Sequence, residues 1–523
     1  MVNRKLPIGI QGFEKIRTEN FLYVDKTEYI YQLVHNNMPY FLSRPRRFGK
    51  SLLLSTLKAY WEGKKELFSG LEIEKLEEEN KEAWKAYPVF YFDFNGVNYQ
   101  NIGALEEALN GQLKRWEKIY GYDENDKALG ERFGNLLIRA KEKTGLRSVV
   151  LVDEYDKPLM DVFENEELQN HNKEVFKGFF SILKSFDEYI HFIFITGVSK
   201  FHKVSIFSDL NQLKDISLTQ KYSALCGITE SELKSCFATE LEGLALAQSL
   251  SVDECMKELK KTYDGYMFHP KGVGVYNPYS LLNALEDKEF GSYWFATGTP
   301  TFLVKKIRET DFDVRKFTDG TLYAGESMLR DYTGEGSDPV PLLYQTGYLT
   351  ISDYDDAGRV YTLSFPNEEV KYGFVESLMH EYVNDYGAGS GKDIFTLRKY
   401  VEQGETEKIR DVFAALFASI PYTKSSVPFE HYFQTVIYIV FTLLKKYVTC
   451  ELHTFTGRID CVLETQKFVY LFEFKRDDTA EAALSQIDTM EYALPFAADP
   501  RKMIKIGASF DSATRKLNEW KVL

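Results

Sequence analysis

The chain has 523 residues and a net charge of −14, from 64 Lys plus Arg against 78 Asp plus Glu. That balance excludes a globally basic nucleic-acid binder but leaves room for a local basic groove. No apolar run is long enough to span a bilayer, the N-terminus has no signal core, and five cysteines form no C-x-x-C pair, so a soluble cytoplasmic protein with free thiols is expected.

The length corresponds to about three domains of ordinary size, and 44% hydrophobic residues are ample to fill their cores. Near the N-terminus, Asp25-Lys26-Thr27 precedes Ile30, Leu33 and Val34 at helical spacing. Asp25 or Thr27 then caps a helix; the alternative brings this helix start close to the ligand of the loop that follows. That loop is Arg44-Pro45-Arg46-Arg47-Phe48-Gly49-Lys50-Ser51. It lies between a short apolar run, Tyr40-Phe41-Leu42, and the helical pattern Leu53, Leu54, Leu57, Tyr60. A helix start exposes unpaired N–H groups and the positive dipole end, which suit phosphate. Lys50 would reach the outer phosphates and the Ser51 hydroxyl would hold magnesium. Arg44 stands where the usual pattern has its first glycine, so the match is partial, and an ordinary strand-to-helix turn is the plain alternative.

Val89–Phe94 reads as a second buried strand, followed by helices near 103–120 and 128–143. Ser148 to Val152 is a buried parallel strand that ends in Asp153 and Glu154. With the upstream loop, Asp153 would hold the magnesium hydration shell and Glu154 would polarise the attacking water. A helix near 166–185 leads to a fourth strand, His191–Gly197, where Thr196 either senses the terminal phosphate or serves as a strand-end residue. Lys200 and Lys203 are solvated or face phosphate, and 213–218 is a fifth strand. Strands alternating with helices predict a three-layer α/β domain with a parallel sheet, its ligand at the strands' carboxyl ends.

Thr229-x-x-Glu232 and Ser251-x-x-Glu254 are capping boxes that start two helices of a mostly helical lid. Tyr263-Asp264-Gly265-Tyr266, Tyr276-Asn277-Pro278 and the aromatic, turn-rich stretch from Tyr293 to Pro300 read as packing elements. Residues 300–386 look mixed, with a hairpin at Asp355-Asp356-Ala357-Gly358. Gly387-Ala388-Gly389-Ser390-Gly391-Lys392 imitates a second phosphate loop, but Asp393 follows the lysine and a helix precedes it. It reads as a helix stop and linker.

From Pro421 the acidic and basic residues balance on an otherwise acidic chain. Glu430 opens an apolar helix, and three strands follow at Val448–Phe455, Arg458–Glu464 and Phe468–Lys475. Asp460 falls mid-strand in an apolar setting. Glu473 and Lys475 share one strand face and Phe472 and Phe474 the other. Buried acids need a partner. A divalent cation on Asp460 and Glu473 would provide one, with Lys475 orienting or deprotonating a water; a cross-strand salt bridge on a wet face is the alternative.

Asp460 with Glu473-Phe474-Lys475, Glu430 before and Gln486 after, resembles the PD-(D/E)XK nuclease superfamily. Tyr23-Val24-Asp25-Lys26-Thr27, the Arg44–Ser51 loop, Asp153-Glu154-Tyr155-Asp156 and Tyr276-Asn277-Pro278 resemble the bacterial AAA-ATPase-like family, which is commonly fused to such a nuclease. The resemblance covers nearly the whole chain. It implies an ATPase core at 1–225, a helical lid at 226–300, a mixed linker at 301–391 and a restriction-endonuclease-like α/β domain at 392–523. It implies ATP and magnesium at Gly49, Lys50, Ser51, Asp153, Glu154 and Thr196. It also implies catalysis by Asp460, Glu473 and Lys475 with magnesium or manganese, assisted by Glu430 and Gln486. The function expected is an ATP-controlled, metal-dependent nuclease, on DNA rather than RNA. The rivals are a nucleotide-driven switch or scaffold that binds without cutting, and a fold in which ATP is never turned over. Arg46 and Arg47 are candidates for phosphate contact; a neighbouring subunit of a homo-oligomer is the other source of an arginine.

Overall fold

A computed structural model of the chain describes residues 4–36, 38–200, 213–296, 301–310, 312–317, 321–330, 338–382, 390–418, 429–445, 449–452, 460–514 and 516–523. It divides into two compact units, Met1–Thr297 with Gly320–Glu369, and Gly298–Asp319 with Val370–Leu523. The architecture is mixed α/β in both. Among the described residues no helix is long and apolar enough to cross a membrane.

In the first unit the apolar runs become parallel strands: β1 (Tyr40–Ser43), β2 (Val89–Asp93), β3 (Ser148–Asp153), β4 (Ile190–Gly197) and β5 (Lys214–Asp215), in the order β2-β3-β4-β1-β5. Every residue of β3 is buried, as a central parallel strand requires. The fifth strand pairs over two residues rather than the six expected. Ser217 leaves the ladder because its hydroxyl accepts from Ser43 N at 2.9 Å and its carbonyl serves Arg44.

Helix α1 (Thr27–Asn36) precedes β1, and α2 (Lys50–Trp61), α3 (Ala104–Tyr120), α4 (Leu129–Thr144) and α5 (Glu166–Phe180) lie between successive strands. Phe92 of β2 meets Trp116 of α3, Phe133 of α4 and Phe179 of α5 at ring separations of 4.9, 5.0 and 5.4 Å. Such edge-on contacts add about 0.5–1.5 kcal/mol per pair beyond burial. Gly130 allows α4 to approach α5 closely: a Cβ there would lie 2.6 Å from the Gly178 carbonyl oxygen. In the strand order β2 lies at one edge of the sheet and β5 at the other, so the adjacent strands β1 and β4 are each followed by a strand at the opposite edge. Connections diverging in this way open a crevice at the carboxyl ends of β1 and β4.

Four further helices, α6 (Glu230–Cys236), α7 (Ala238–Ala247), α8 (Val252–Tyr263) and α9 (Pro278–Asp287), follow the sheet. Both expected capping boxes are formed, Thr229 with Glu232 and Ser251 with Glu254. Leu233, Phe237, Leu244, Leu259, Tyr276 and Leu281 share a core with Leu6 and Leu22, so the N-terminal segment is packed into this helical group. A small antiparallel sheet, β6 (Tyr323–Gly325), β7 (Thr350–Asp355) and β8 (Val360–Ser364), has the order β6-β8-β7, and the hairpin at Asp355–Gly358 joins its last two strands.

The second unit contains α10 (Ser390–Gln403), α11 (Thr406–Ala418) and α12 (Phe429–Lys445) ahead of a five-stranded sheet. Its strands are β9 (Thr449–Leu452), β10 (Cys461–Glu464), β11 (Phe468–Arg476), β12 (Lys502–Asp511) and β13 (Lys516–Val522), ordered β13-β12-β11-β10-β9. Only β11 and β12 are parallel, and α13 (Ala480–Thr489) makes that crossover. Alternation along β11 sorts its side chains. Leu471 packs with Leu484 and Ile487 of α13, whereas Phe472 meets Phe441 of α12 at 5.3 Å. Lys203, the Thr297–Pro300 turn, Gly387–Gly389 and the Thr456-Gly457 turn lie outside the described residues.

Candidate functional site

A cleft of about 400 Å³ opens in the first unit, lined by Arg46, Arg47, Gly49, Lys50, Ser51 and Glu154. Lys26, Asn95 and Lys157 also line it, and Ile10, Leu225, Ile228 and Leu282 are part of its apolar wall. Gly49 caps α2 with φ +93°, a conformation glycine adopts without strain. Lys50 is buried, and its Nζ donates to the carbonyls of Arg44 and Pro45 at 3.0 and 3.1 Å. This holds the ammonium over the loop, at a helix N-terminus suited to anions.

Asp153 and Thr196 stand at the carboxyl ends of the neighbouring strands β3 and β4, and neither lines the cleft. Both are buried, and Thr196 Oγ1 donates to Asp153 Oδ1 at 2.8 Å while the Tyr91 hydroxyl donates to Oδ2 at 3.2 Å. Asp153 is therefore oriented by two hydroxyls. Glu154 turns out of the strand with φ +49°. Burial raises its carboxyl above the ordinary range, and the nearby Lys50 ammonium opposes the rise. Asp156 is structural: its carboxylate accepts from Val198 N, Ser199 N and Ser199 Oγ. Lys200 pairs with Asp215 at 3.0 Å.

Arg44, at the position of the missing glycine, is 1% exposed. Its guanidinium donates to the carbonyls of Ser43, Ser217 and Tyr222 and lies 3.9 Å from the Phe268 ring centroid. It braces the loop from behind. Asp25 caps α1 through Thr27 N at 2.8 Å, and its other oxygen accepts from Glu72 N. Lys26 beside it lines the cleft.

The second cluster lies on β10, β11 and α13. Asp460 was expected mid-strand, but it stands just ahead of β10, where its Oδ2 caps the Phe474 N–H at 2.8 Å. Its own N–H donates to Glu473 Oε2 at 3.3 Å. Lys475 Nζ lies 3.2 Å from Glu473 Oε1 and also donates to Gln486 Oε1. Four of the five expected residues thus meet on one face. Glu430 belongs to α12, but its side chain lies outside the described residues.

Burial raises the Asp460 carboxyl, and burial with the Asp460 charge pushes Glu473 up to about 7. Half-buried Asp460 and buried Glu473 facing one ammonium leave a deficit of positive charge. Carboxylate oxygens are hard donors, so the set fits a magnesium-like cation. Among the described residues no group of three or more His, Cys, Asp or Glu could hold a metal ion, so their acidic contribution there is these two carboxylates.

Residues 7–207 match the model of the predicted AAA-ATPase family, and residues 428–520 that of the PD-(D/E)XK nuclease superfamily. The chain belongs to the AAA-ATPase-like family and carries a C-terminal PD-(D/E)XK nuclease-superfamily domain. It is 36% identical over 529 residues to "Uncharacterized protein in vnfD 5'region" of Azotobacter chroococcum mcd 1, covering 99% of this chain and 98% of that one.

Sequence reasoning missed several cleft residues. Lys157 had a signal, because it follows the acidic pair by one turn. Asn95 follows β2, the neighbour of the acidic strand, and had a weaker one. Trp294, which is outside the cleft lining but whose Nε1 donates to the Arg46 carbonyl at 3.0 Å, had none beyond being aromatic.

Proposed function

We propose that the first unit binds and hydrolyses ATP with magnesium, and that this controls a metal-dependent phosphodiesterase in the second unit that cuts DNA. The observation that carries the reading is the second cluster, in which Asp460, Glu473, Lys475 and Gln486 gather on one face. A purely structural ion pair would need one acid for one lysine. Here two carboxylates, Asp460 and Glu473, share one lysine, and burial first and the Asp460 charge second raise the Glu473 carboxyl even though Lys475 lies beside it.

Magnesium, held by Ser51 and Asp153 in the first unit and by Asp460 and Glu473 in the second, would neutralise phosphate oxygens when bound. Lys50 and the N-terminus of α2 would hold the β- and γ-phosphates. Glu154 would orient a water, whose oxygen joins the γ-phosphorus as the bond to the bridging oxygen breaks and ADP keeps the electron pair. In the second unit Lys475 would hold a water toward the scissile phosphorus and stabilise the charge that develops there. Gln486, bonded to that lysine, would fix its direction. The apolar remainder of the first cleft suits the base of a nucleotide better than bare polyphosphate. In the helical lid, α6 to α9 share a core with the N-terminal segment, which brings Lys26 and Tyr279 to the same cleft.

The test is plasmid cleavage by purified protein with magnesium or manganese, with and without ATP. The wild type should cut, Lys475→Ala should not, and Glu154→Gln should bind ATP without releasing phosphate. Absence of cleavage by the wild type, or equal cleavage by Lys475→Ala, removes the nuclease reading.

A further inference from the structure

The loop before α2 holds three arginines, and each has different surroundings. Arg44 is buried and committed to the carbonyls of Ser43, Ser217 and Tyr222. Arg47 has φ +67°, and its guanidinium lies 4.8 Å from the Tyr279 ring centroid. Arg46 is exposed and lines the cleft with Lys50, Ser51 and Glu154. Its positive charge acts on the Glu154 carboxyl in the direction that keeps the acid ionised.

The Arg46 main chain is also anchored from outside the sheet. Trp294, itself 5% exposed, donates its indole N–H to the Arg46 carbonyl at 3.0 Å. The Trp294 backbone N–H in turn donates to Glu369 Oε1 at 2.7 Å. The long arginine stem therefore springs from a point held by a buried side chain some 250 residues away. Arg17 and Arg132 by contrast spend their guanidinium groups on fold contacts, with Leu67 and Ser69 carbonyls and with Glu117 respectively.

We infer that Arg46 is a catalytic residue of ATP hydrolysis acting in cis, and that Trp294 is its positioning residue. The inference rests on the ATPase reading of the cleft. As water adds to the γ-phosphorus, the bond to the bridging oxygen breaks and its electron pair leaves with ADP. The water's proton passes to Glu154 and on to the phosphate product. Negative charge grows on the bridging and equatorial oxygens, where a planar, forked guanidinium neutralises it better than a point charge. Because the arginine belongs to the same chain as Lys50 and Glu154, turnover needs no second subunit.

The experiment measures phosphate release and equilibrium ATP binding for wild type, Arg46→Ala, Trp294→Phe and the double variant, with thermal melts as folding controls. Trp294→Phe keeps an aromatic ring and removes the indole N–H together with part of the ring's volume, so its melt is compared with that of the wild type. Arg46→Ala should lose about a hundredfold or more in kcat while ATP affinity changes little. Trp294→Phe should lose about tenfold in kcat with KM unchanged, since the positioning of a transition-state contact is affected. The double variant should be no slower than Arg46→Ala, because the two residues act through one group. Wild-type turnover per protomer should be flat across protein concentration.

Retained kcat in Arg46→Ala, additive losses in the double variant, or a per-protomer rate that climbs with concentration would overturn the inference. A hydrolysing wild type with an indifferent Arg46→Ala overturns this inference and leaves the ATPase reading intact. A wild type that neither binds nor hydrolyses ATP overturns both.

Discussion

Asp460 donates its backbone N–H to Glu473 Oε2 at 3.3 Å, so two acids stand together where β10 and β11 begin to pair. The consequence is electrostatic. Glu473 is 2% exposed, and its carboxyl, ordinarily near 4.5, is pushed up to about 7 by burial first and the Asp460 charge second. In the unfolded chain the same group loses its proton near 4.5. Between these values the folded state holds more protons, so protonated Glu473 contributes stability that is full below about 4.5 and lost as pH climbs through 7.

Cation binding needs the ionised carboxylate and so releases a proton. Manganese, added without nucleotide, should raise Tm more at pH 8 than at pH 5.5, and Glu473→Gln should flatten that difference. Differential scanning fluorimetry across pH reads it directly. An equal manganese shift at both pH values would remove the two carboxylates as the cation's ligands.

Lys475 is shared between Glu473 and Gln486, which binds a strand lysine to a helix amide. Gln486→Ala should leave the lysine charged but free to swing, and reduce DNA cleavage by about tenfold, the scale of a lost orienting contact. Lys475→Ala should reduce it by about a hundredfold or more, as loss of a charge-stabilising donor does. A supercoiled-plasmid nicking assay separates the two, and equal losses would mean that the amide, not the ammonium, is the essential group.

Arg44 gives a prediction opposite to the one its sequence position suggests. Replacing it by glycine restores the usual loop spelling. The structure says the replacement removes a guanidinium that satisfies the Ser43, Ser217 and Tyr222 carbonyls and covers the Phe268 ring. Hydrogen bonds to a charged group are worth about 1.5–3 kcal/mol each, so Arg44→Gly should destabilise the first unit by about 3 kcal/mol or more. Chemical denaturation followed by intrinsic fluorescence would show it. A variant as stable as wild type would contradict the bracing role.

These cases show what the sequence could and could not convey. Buried strands announce themselves by unbroken apolar runs, so β2, β3 and β4 are legible, and the acids at the end of β3 are legible with them. The two capping boxes are legible because the signal is confined to four residues. Arg44 is not, because its carbonyl partners at Ser217 and Tyr222 lie more than 170 residues away and backbone acceptors carry no residue signature. Trp294 is hidden for the same reason. Asp460 looked mid-strand because the run after it is apolar, yet its side chain caps Phe474 N from the strand's entrance, a role that spacing alone does not distinguish. The fifth strand was over-read because Ser217 trades ladder bonds for the loop.

Thr196 tests how far the proposed ATP site is built into the sheet. Its hydroxyl donates to Asp153 Oδ1 at 2.8 Å, both residues are buried, and the remaining hydroxyl on that acid is Tyr91 at 3.2 Å. Removing the donor leaves a buried carboxylate oxygen short of a partner, which costs about 1–3 kcal/mol. Thr196→Val, nearly the same shape, should therefore lower stability by that amount and weaken magnesium-dependent ATP binding. Thr196→Ser, which keeps the donor, should restore both. If Thr196 instead sensed the terminal phosphate alone, Thr196→Val would leave stability and ADP binding unchanged and affect only ATP. Paired denaturation curves and ADP and ATP titrations of the two variants distinguish these outcomes, because only the first couples the fold of β3 and β4 to the acid that would hold the metal.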